Sequence, residues 1–344
     1  MANFNSLRIL FRVLSLQMKK NATTDDDKRV VQELNNNTIH QVEQAIRDVH
    51  SNEVRYQHLT LRFGRDQNIH DLDLSPEMEN CLDLYSLYLA LRQARFQLET
   101  FHPDLISQLV VPLRMRSLLW LTGSQFFDQL LRQHGDAFAY MIPALKVEGD
   151  EWEQVQSARR IEQIREHAAA LWFELVPPGE FLEACVRFKP DMIKLALALD
   201  DPNERANLLP IIRLVRKHRF SWTAGRIENQ IELNQCRLLG ADCYFGYVSD
   251  IPTSVDFHPI DDEEEDEISD EELAHELGID DETENGDTEP FDEEPEIEEE
   301  EDDGLKPLND QEVEQLLNSS EEELAELAGD DLSATRFQRP SDSE

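Results

Sequence analysis

Apolar residues recur every three or four positions through much of the first 250 residues, the spacing of one buried helix face. Phe4, Leu7, Leu10, Phe11, Leu14 and Met18 form the first such stripe, with Arg8, Arg12, Lys19 and Lys20 among them, so residues 4–20 predict a basic amphipathic helix. Thr24 is placed to cap a second helix whose first turn holds Asp25, Asp26 and Asp27, where acids favour the positive helix end. Ile39, Val42, Ile46 and Val49 mark another stripe. Residues 54–74 are less periodic and admit a short strand pair around Gly64. Ser75 followed by Pro76 is a helix start, opening an element that runs to about Phe101. Further helices are expected near 104–121, 124–135, 149–176, 180–187, 190–199, 203–218 and 222–239, punctuated by Pro103, Gly123, Gly135 and Pro177-Pro178-Gly179. Residues 243–248 (CYFGYV) read as a strand-like piece closing the domain. The expected fold class is all-α, helices packed on helices with at most a minor β element.

Charge divides the chain in two. Residues 251–344 hold 39 acidic residues against three basic ones, a net charge of −36, whereas residues 1–250 carry only −5 of the total of −41. Dense like charge with few apolar residues leaves too little burial to offset backbone entropy of about 1–2 kcal/mol per residue. The expected organisation is a helical globular domain over 1–250 and a largely disordered acidic tail over 251–344. Three tail segments share one design, a capping residue with Glu three positions on and then apolar residues at helical spacing. They lie near 269–278 (Leu273, Leu277), 309–318 (Val313, Leu316, Leu317) and 320–329 (Leu324, Leu327). Helices of about ten residues are marginal in water, so these read as segments that fold in a partner's groove.

Candidate chemistry is sparse. Cys81, Cys185, Cys236 and Cys243 show no paired spacing, which argues against structural zinc and for free thiols in a reducing, cytoplasmic compartment. No apolar run reaches the roughly 20 residues needed to span a bilayer. The first helix has the look of a core helix, with a mitochondrial-type targeting segment or a membrane-surface helix over 4–20 as alternatives. There is no phosphate-cradling glycine loop, no nucleophile elbow and no HExxH, and no two histidines sit at one-turn spacing. Glu162 and Glu166 share a helix face but lack a histidine partner. No cofactor, metal or catalytic residue is therefore expected.

Positive charge concentrates in residues 211–227, where Arg213, Arg216, Lys217, Arg219 and Arg226 surround Trp222. Three readings compete: a solvated helix face, a dock for the acidic tail or another anionic partner, and nucleic-acid binding. The tail argues against the last, because a tethered polyanion competes with DNA or RNA.

Residues 308–318 (LNDQEVEQLLN) resemble the N-terminal peptide of flagellar switch proteins of the FliM type, with Leu308, Gln311, Glu312, Val313, Leu316 and Leu317 in matching places. The resemblance covers eleven residues, departs in lying near the C-terminus, and implies binding to a response-regulator receiver domain. The body resembles no family. Together these features suggest a non-enzymatic adaptor or regulator whose tail presents amphipathic helices to a protein partner. The alternatives are an assembly factor whose polyanionic tail shields basic surfaces, and an enzyme with no recognisable motif.

Overall fold

Two ten-residue strands joined by a tight turn set the architecture. In the computed structural model, which describes residues 7–64, 67–68, 72–102, 105–177, 179, 181–196 and 202–255, β1 (Ile39–Asp48) and β2 (Val54–Phe63) pair antiparallel along their whole length. From β2 the sheet continues in parallel through β4 (Leu109–Arg114), β5 (Met141–Lys146), β6 (Trp172–Leu175), β7 (Met192–Ala196), β8 (Trp222–Gly225) and β9 (Cys243–Tyr244). The short β9 then pairs antiparallel with the far end of β1, so eight strands close into a barrel among the described residues. Two short strands lie outside the ring: β3 (Gln67–Asn68) on β2 and β10 (Thr253–Val255) on β1.

Helices fill each parallel crossover. They are α3 (Pro76–Thr100), the pair α4 (Met115–Leu119) and α5 (Leu121–Phe138), α6 (Val155–His167), α7 (Glu183–Phe188), α8 (Pro202–Lys217) and α9 (Gln230–Leu238). Before the barrel come α1 (Leu7–Asn21) and α2 (Asp25–Asn35). The core has two compartments. A large cluster including Leu84, Leu109, Leu145, Phe173 and Leu195 lies between the barrel and its helices. A smaller one, with Ile46, Val110, Ile142, Trp172 and Met192, fills the barrel's lower interior. Tyr56 closes that plug edge-on against Trp172 at 5.0 Å.

The all-α expectation is therefore overturned. Parallel strands covered on both faces read as unbroken apolar runs, which periodicity cannot separate from short buried helices. The run expected as helix near 104–121 holds β4, the one near 190–199 is β7, and the one near 222–239 divides into β8 and α9. The expected long helix over 149–176 stops at His167, and its apolar end becomes β6. The stripe Ile39, Val42, Ile46 and Val49 belongs largely to β1, where Ile46 faces the barrel interior while Ile39 and Val49 face the helical layer.

Other local expectations hold. Thr24 caps α2 in a reciprocal capping box with Asp27. Burial alone would raise the Asp27 pKa, but N–H donors from Thr24, Ser75 and Thr23 bring it down to about 2. Ser75 caps α3 with Pro76 in its first turn. On α1, Leu14 and Met18 are buried and Phe11 packs on Tyr85 and Tyr88 of α3, so these three positions of its apolar stripe are covered by the protein itself. No helix among the described residues is long and apolar enough to cross a membrane. Val313, Leu316, Leu317, Leu273, Leu277, Leu324 and Leu327 lie outside the described residues.

Candidate functional site

The barrel interior changes character along its axis. Because successive side chains alternate between faces of a strand, positions two apart climb the inner wall: Val110, Pro112 and Arg114 on β4; Ile142, Ala144 and Lys146 on β5; Trp172 and Glu174 on β6; Met192 and Lys194 on β7. The lower positions are apolar and packed. The upper ones, toward the C-terminal ends of the parallel strands, are charged. That end is where barrels of this architecture carry their sites.

Strand register aligns these charges. Arg114 lies beside Lys146, Lys146 beside Glu174, Glu174 beside Lys194, and Lys194 beside Thr223, a continuous polar belt across five neighbouring strands. Lys194 Nζ donates to Glu174 Oε2 at 2.8 Å, with the lysine side chain only 5% exposed. The same ammonium lies 5.8 Å from the centre of the Phe245 ring. Lys146 pairs with Glu148 at 2.6 Å. Arg114 is clamped by Asp83 at 2.8 Å and Glu79 at 2.9 Å, both on α3. Burial works against the Arg114 charge, but Asp83, Glu79 and Glu148 outweigh it and raise its pKa. Burial raises the pKa of Asp83, opposed by Arg114 and by the Ser117 hydroxyl.

Across the barrel stands His58 on β2, 7% exposed, its ring 4.6 Å from that of Phe245. Burial holds its pKa well below the ordinary value, and the positive charges of Lys194 and Arg62 push the same way. The imidazole is therefore neutral, and its Nε2 is buried with no hydrogen-bond partner. Thr223 Oγ1 is unpartnered in the same sense. Buried polar atoms left unpaired are uncommon in folded proteins, and they are what a ligand would satisfy.

His58, Asp83, Arg114, Lys146, Glu174, Lys194 and Phe245 line a cavity of about 420 Å³, within the size range of small-molecule sites; Thr223 lies behind its wall. Five basic side chains line it (Arg62, Arg114, Lys146, Lys194, Arg226) against three acidic ones (Asp83, Glu174, Glu228). Phe245 and the exposed Tyr247 add ring faces. The arrangement suits an anion carrying flat, apolar groups. The described residues do not fit a divalent cation: no group of three His, Cys, Asp or Glu among them converges as a metal site, and Glu174 already faces an ammonium.

The basic segment predicted from sequence is divided by the fold. Arg213, Arg216 and Lys217 ride on α8 and Arg219 comes just after it, where the chain turns into the start of β8 at the lower end of the barrel. Trp222 is 2% exposed and belongs to the core under the helices. Arg226 alone reaches the mouth, directly after β8. Sequence reasoning missed Lys194, Glu174, Lys146, Arg114 and His58. Their signal was a charge placed within an apolar run, as in MIPALK, WFEL and MIKLA, meaningful only once those runs are strands.

No protein-family model matches the chain, and no curated protein matches it. Solved structures do match in fold. The phosphodiesterase PaMucR in complex with c-di-GMP superposes with a TM-score of 0.55 at 16% identity, over 67% of this chain and 97% of that one. The LapD S helix-GGDEF-EAL protein of Vibrio cholerae gives 0.54 at 16% identity, over 64% of this chain and 56% of its own. The YkuI protein of Bacillus subtilis, with an EAL domain and in complex with substrate c-di-GMP and calcium, gives 0.54 at 16% identity, over 75% and 65%. At that identity the likeness is one of fold. It corrects the expected non-enzymatic adaptor built on a helical platform: the body shares the barrel fold of PaMucR and YkuI, which agrees better with the alternative of an enzyme with no recognisable motif.

Proposed function

We propose that the barrel takes a cyclic dinucleotide of the c-di-GMP class at its C-terminal mouth and acts on the phosphodiester. The observation that carries the proposal is the in-register belt from Arg114 to Thr223, opposite a neutral histidine with an unpaired nitrogen. Each phosphodiester brings one negative charge and two free oxygens, which Lys194, Lys146 and Arg226 are placed to meet by charge-assisted hydrogen bonds. The bases find ring faces on Phe245 and Tyr247. Hydrolysis is favoured over simple retention by the fold shared with PaMucR, and Glu174, one of three carboxylates lining the mouth, sits beside the ammonium of Lys194.

Titration of the full chain with c-di-GMP at about 0.15 M salt, with chromatography of the nucleotide afterwards, tests both halves. The expected result is saturable one-to-one binding, weakened about tenfold or more by Lys146→Ala or Arg226→Ala, together with a linear dinucleotide product. Absence of binding by the parent chain at millimolar nucleotide removes the reading.

Cytoplasmic placement is part of this proposal, supported by four buried free thiols, of which Cys81 and Cys185 are pushed up to about 12 by burial. So is the division into a folded body and an acidic tail, supported by the charge contrast in the sequence. A protein partner for the tail, with Val313, Leu316 and Leu317 as anchors, rests on the resemblance of residues 308–318. Val313→Ala with Leu317→Ala is expected to abolish capture of a response-regulator receiver domain by the full chain. Equal capture by parent and variant would discard it.

A further inference from the structure

The end of the barrel away from the mouth carries two features that nucleotide binding leaves unused. The first is cationic. The loops leading into β7 and β8 lie side by side there, since Ile193 pairs with Trp222 and its N–H donates to the Ser221 carbonyl at 2.9 Å. Residues 185–191 and 213–221 together carry six basic side chains (Arg187, Lys189, Arg213, Arg216, Lys217, Arg219) against one acid. That acid, Asp191, already accepts the Leu171 N–H at 2.8 Å. Arg187, Lys189 and Lys217 are exposed and form no ion pair among the described residues. The second feature is apolar. Phe96 and Phe101 meet edge to face at 6.4 Å where α3 ends, both nearly half exposed, and Leu105 before β4 is 72% exposed. Val54, also nearly half exposed, opens β2 at the same end, because β2 runs parallel to β4.

Two of the cations stand where side chains are disfavoured. Lys189 follows α7 with φ +43, and Arg219 follows α8 with φ +52. Left-handed positions just past a helix usually hold glycine, because a Cβ there meets the backbone. The dipoles of α7 and α8 account for positive charge in each last turn, and Arg187, Arg216 and Lys217 already supply it. They do not account for a cation at the crowded position beyond, twice, in neighbouring loops. Strained positions of this kind gather at functional surfaces.

The cationic loops and the apolar corner stand on opposite sides of the lower rim, since β2 and β4 are three or four places from β7 and β8 in the ring of eight strands. A peptide or a nucleic-acid strand would engage one of them, whereas a broad flat surface meets both at once. Cations that reach headgroups, beside exposed apolar side chains that enter the interface, suit a negatively charged membrane surface. We infer that the lower end of the barrel docks on an anionic lipid bilayer, through the loops before β7 and β8 and the corner made by Val54, Phe96, Phe101 and Leu105. The described chain ends on β10, which runs toward the mouth, so the negative charge that follows in sequence is attached at the end away from the bilayer. The docked barrel presents its mouth to solvent. This inference goes beyond the nucleotide reading and does not depend on it.

Co-sedimentation of the full chain with vesicles tests it, using phosphatidylcholine alone and phosphatidylcholine carrying about 30% phosphatidylglycerol. At about 0.05 M salt, partitioning onto the anionic vesicles is expected to exceed that onto the neutral ones at least about tenfold, and the excess is expected to vanish at about 0.5 M salt. Lys189→Gly with Arg219→Gly removes two charges and relieves two left-handed side chains together. That variant is expected to melt at or above the parent's Tm and to lose at least about tenfold in partitioning onto the anionic vesicles. Phe101→Ser with Leu105→Ser touches only exposed side chains and is expected to keep the parent's Tm while losing about fivefold or more. Equal binding of the parent to both vesicle types overturns the inference, and so does parental binding by either variant. Retention of the parent on RNA with none on vesicles overturns it as well.

Discussion

Replacing Lys194 with methionine is expected to remove about 3–5 kcal/mol of stability, the effect of leaving one partner of a buried ion pair unpaired. Both partners are largely shielded, with side chains 5% and 15% exposed, and their strands pair at that register position. The double variant Lys194→Met with Glu174→Leu is expected to recover most of the loss, because it removes the stranded carboxylate as well. Nucleotide binding is expected to fall in both variants, so stability and recognition separate. His58 supplies an independent readout. Its pKa is held down first by burial and then by Lys194 and Arg62, so in Lys194→Met it should rise while staying below that of an exposed histidine, as followed by imidazole proton shifts. A loss under about 1 kcal/mol in urea unfolding would place the pair in solvent, the range of exposed ion pairs, and deny the mouth its low-dielectric character.

Gly246→Ala is expected to be the most damaging small substitution at the site. Gly246 has φ +155, and an added Cβ would lie 2.2 Å from the Ile227 carbonyl oxygen and 2.4 Å from its nitrogen. Backbone atoms cannot swing aside as a flexible side chain does. The two segments are tied by Ile227 N–H donating to the Phe245 carbonyl at 3.2 Å and Val248 N–H donating to the Ile227 carbonyl at 3.1 Å. Relief of the clash must push apart the chain after β8 and the chain after β9, carrying Phe245 off His58 and Lys194. The expected loss is about 3 kcal/mol or more, lowering Tm by roughly 6–12 °C for a body of this size. A Tm within about 2 °C of the parent would mean that this segment adapts freely and does not shape the mouth.

The helical layer was legible in the sequence because its signals are local. Thr24 with Asp27, Ser75 with Pro76, and the stripe over 203–218 each mark an element from residues within a few positions of one another. The barrel was not, because a parallel strand is defined by neighbours far along the chain. Leu109, Val111 and Leu113 face the helical core while Val110 faces the barrel interior, so the segment shows no polar face. In β1 the residues that match a helical period point to opposite sides of the strand. The closing role expected for CYFGYV was visible as an aromatic run, although what it closes is a ring of strands. The site suffered most from this. Lys146, Glu174 and Lys194 are separated by 20 or more residues, and only strand register brings them side by side. Conversely, the basic run at 211–227 looked like one surface and is split between the two ends of the barrel.

A crystal structure of the full chain with c-di-GMP decides which end of the barrel takes the nucleotide. The expected result is a phosphate hydrogen-bonded to Lys194 or Lys146 inside the barrel mouth, with a base stacked on Phe245 or Tyr247. Nucleotide bound instead along α8 near Arg213 and Lys217, with the mouth empty, would contradict it.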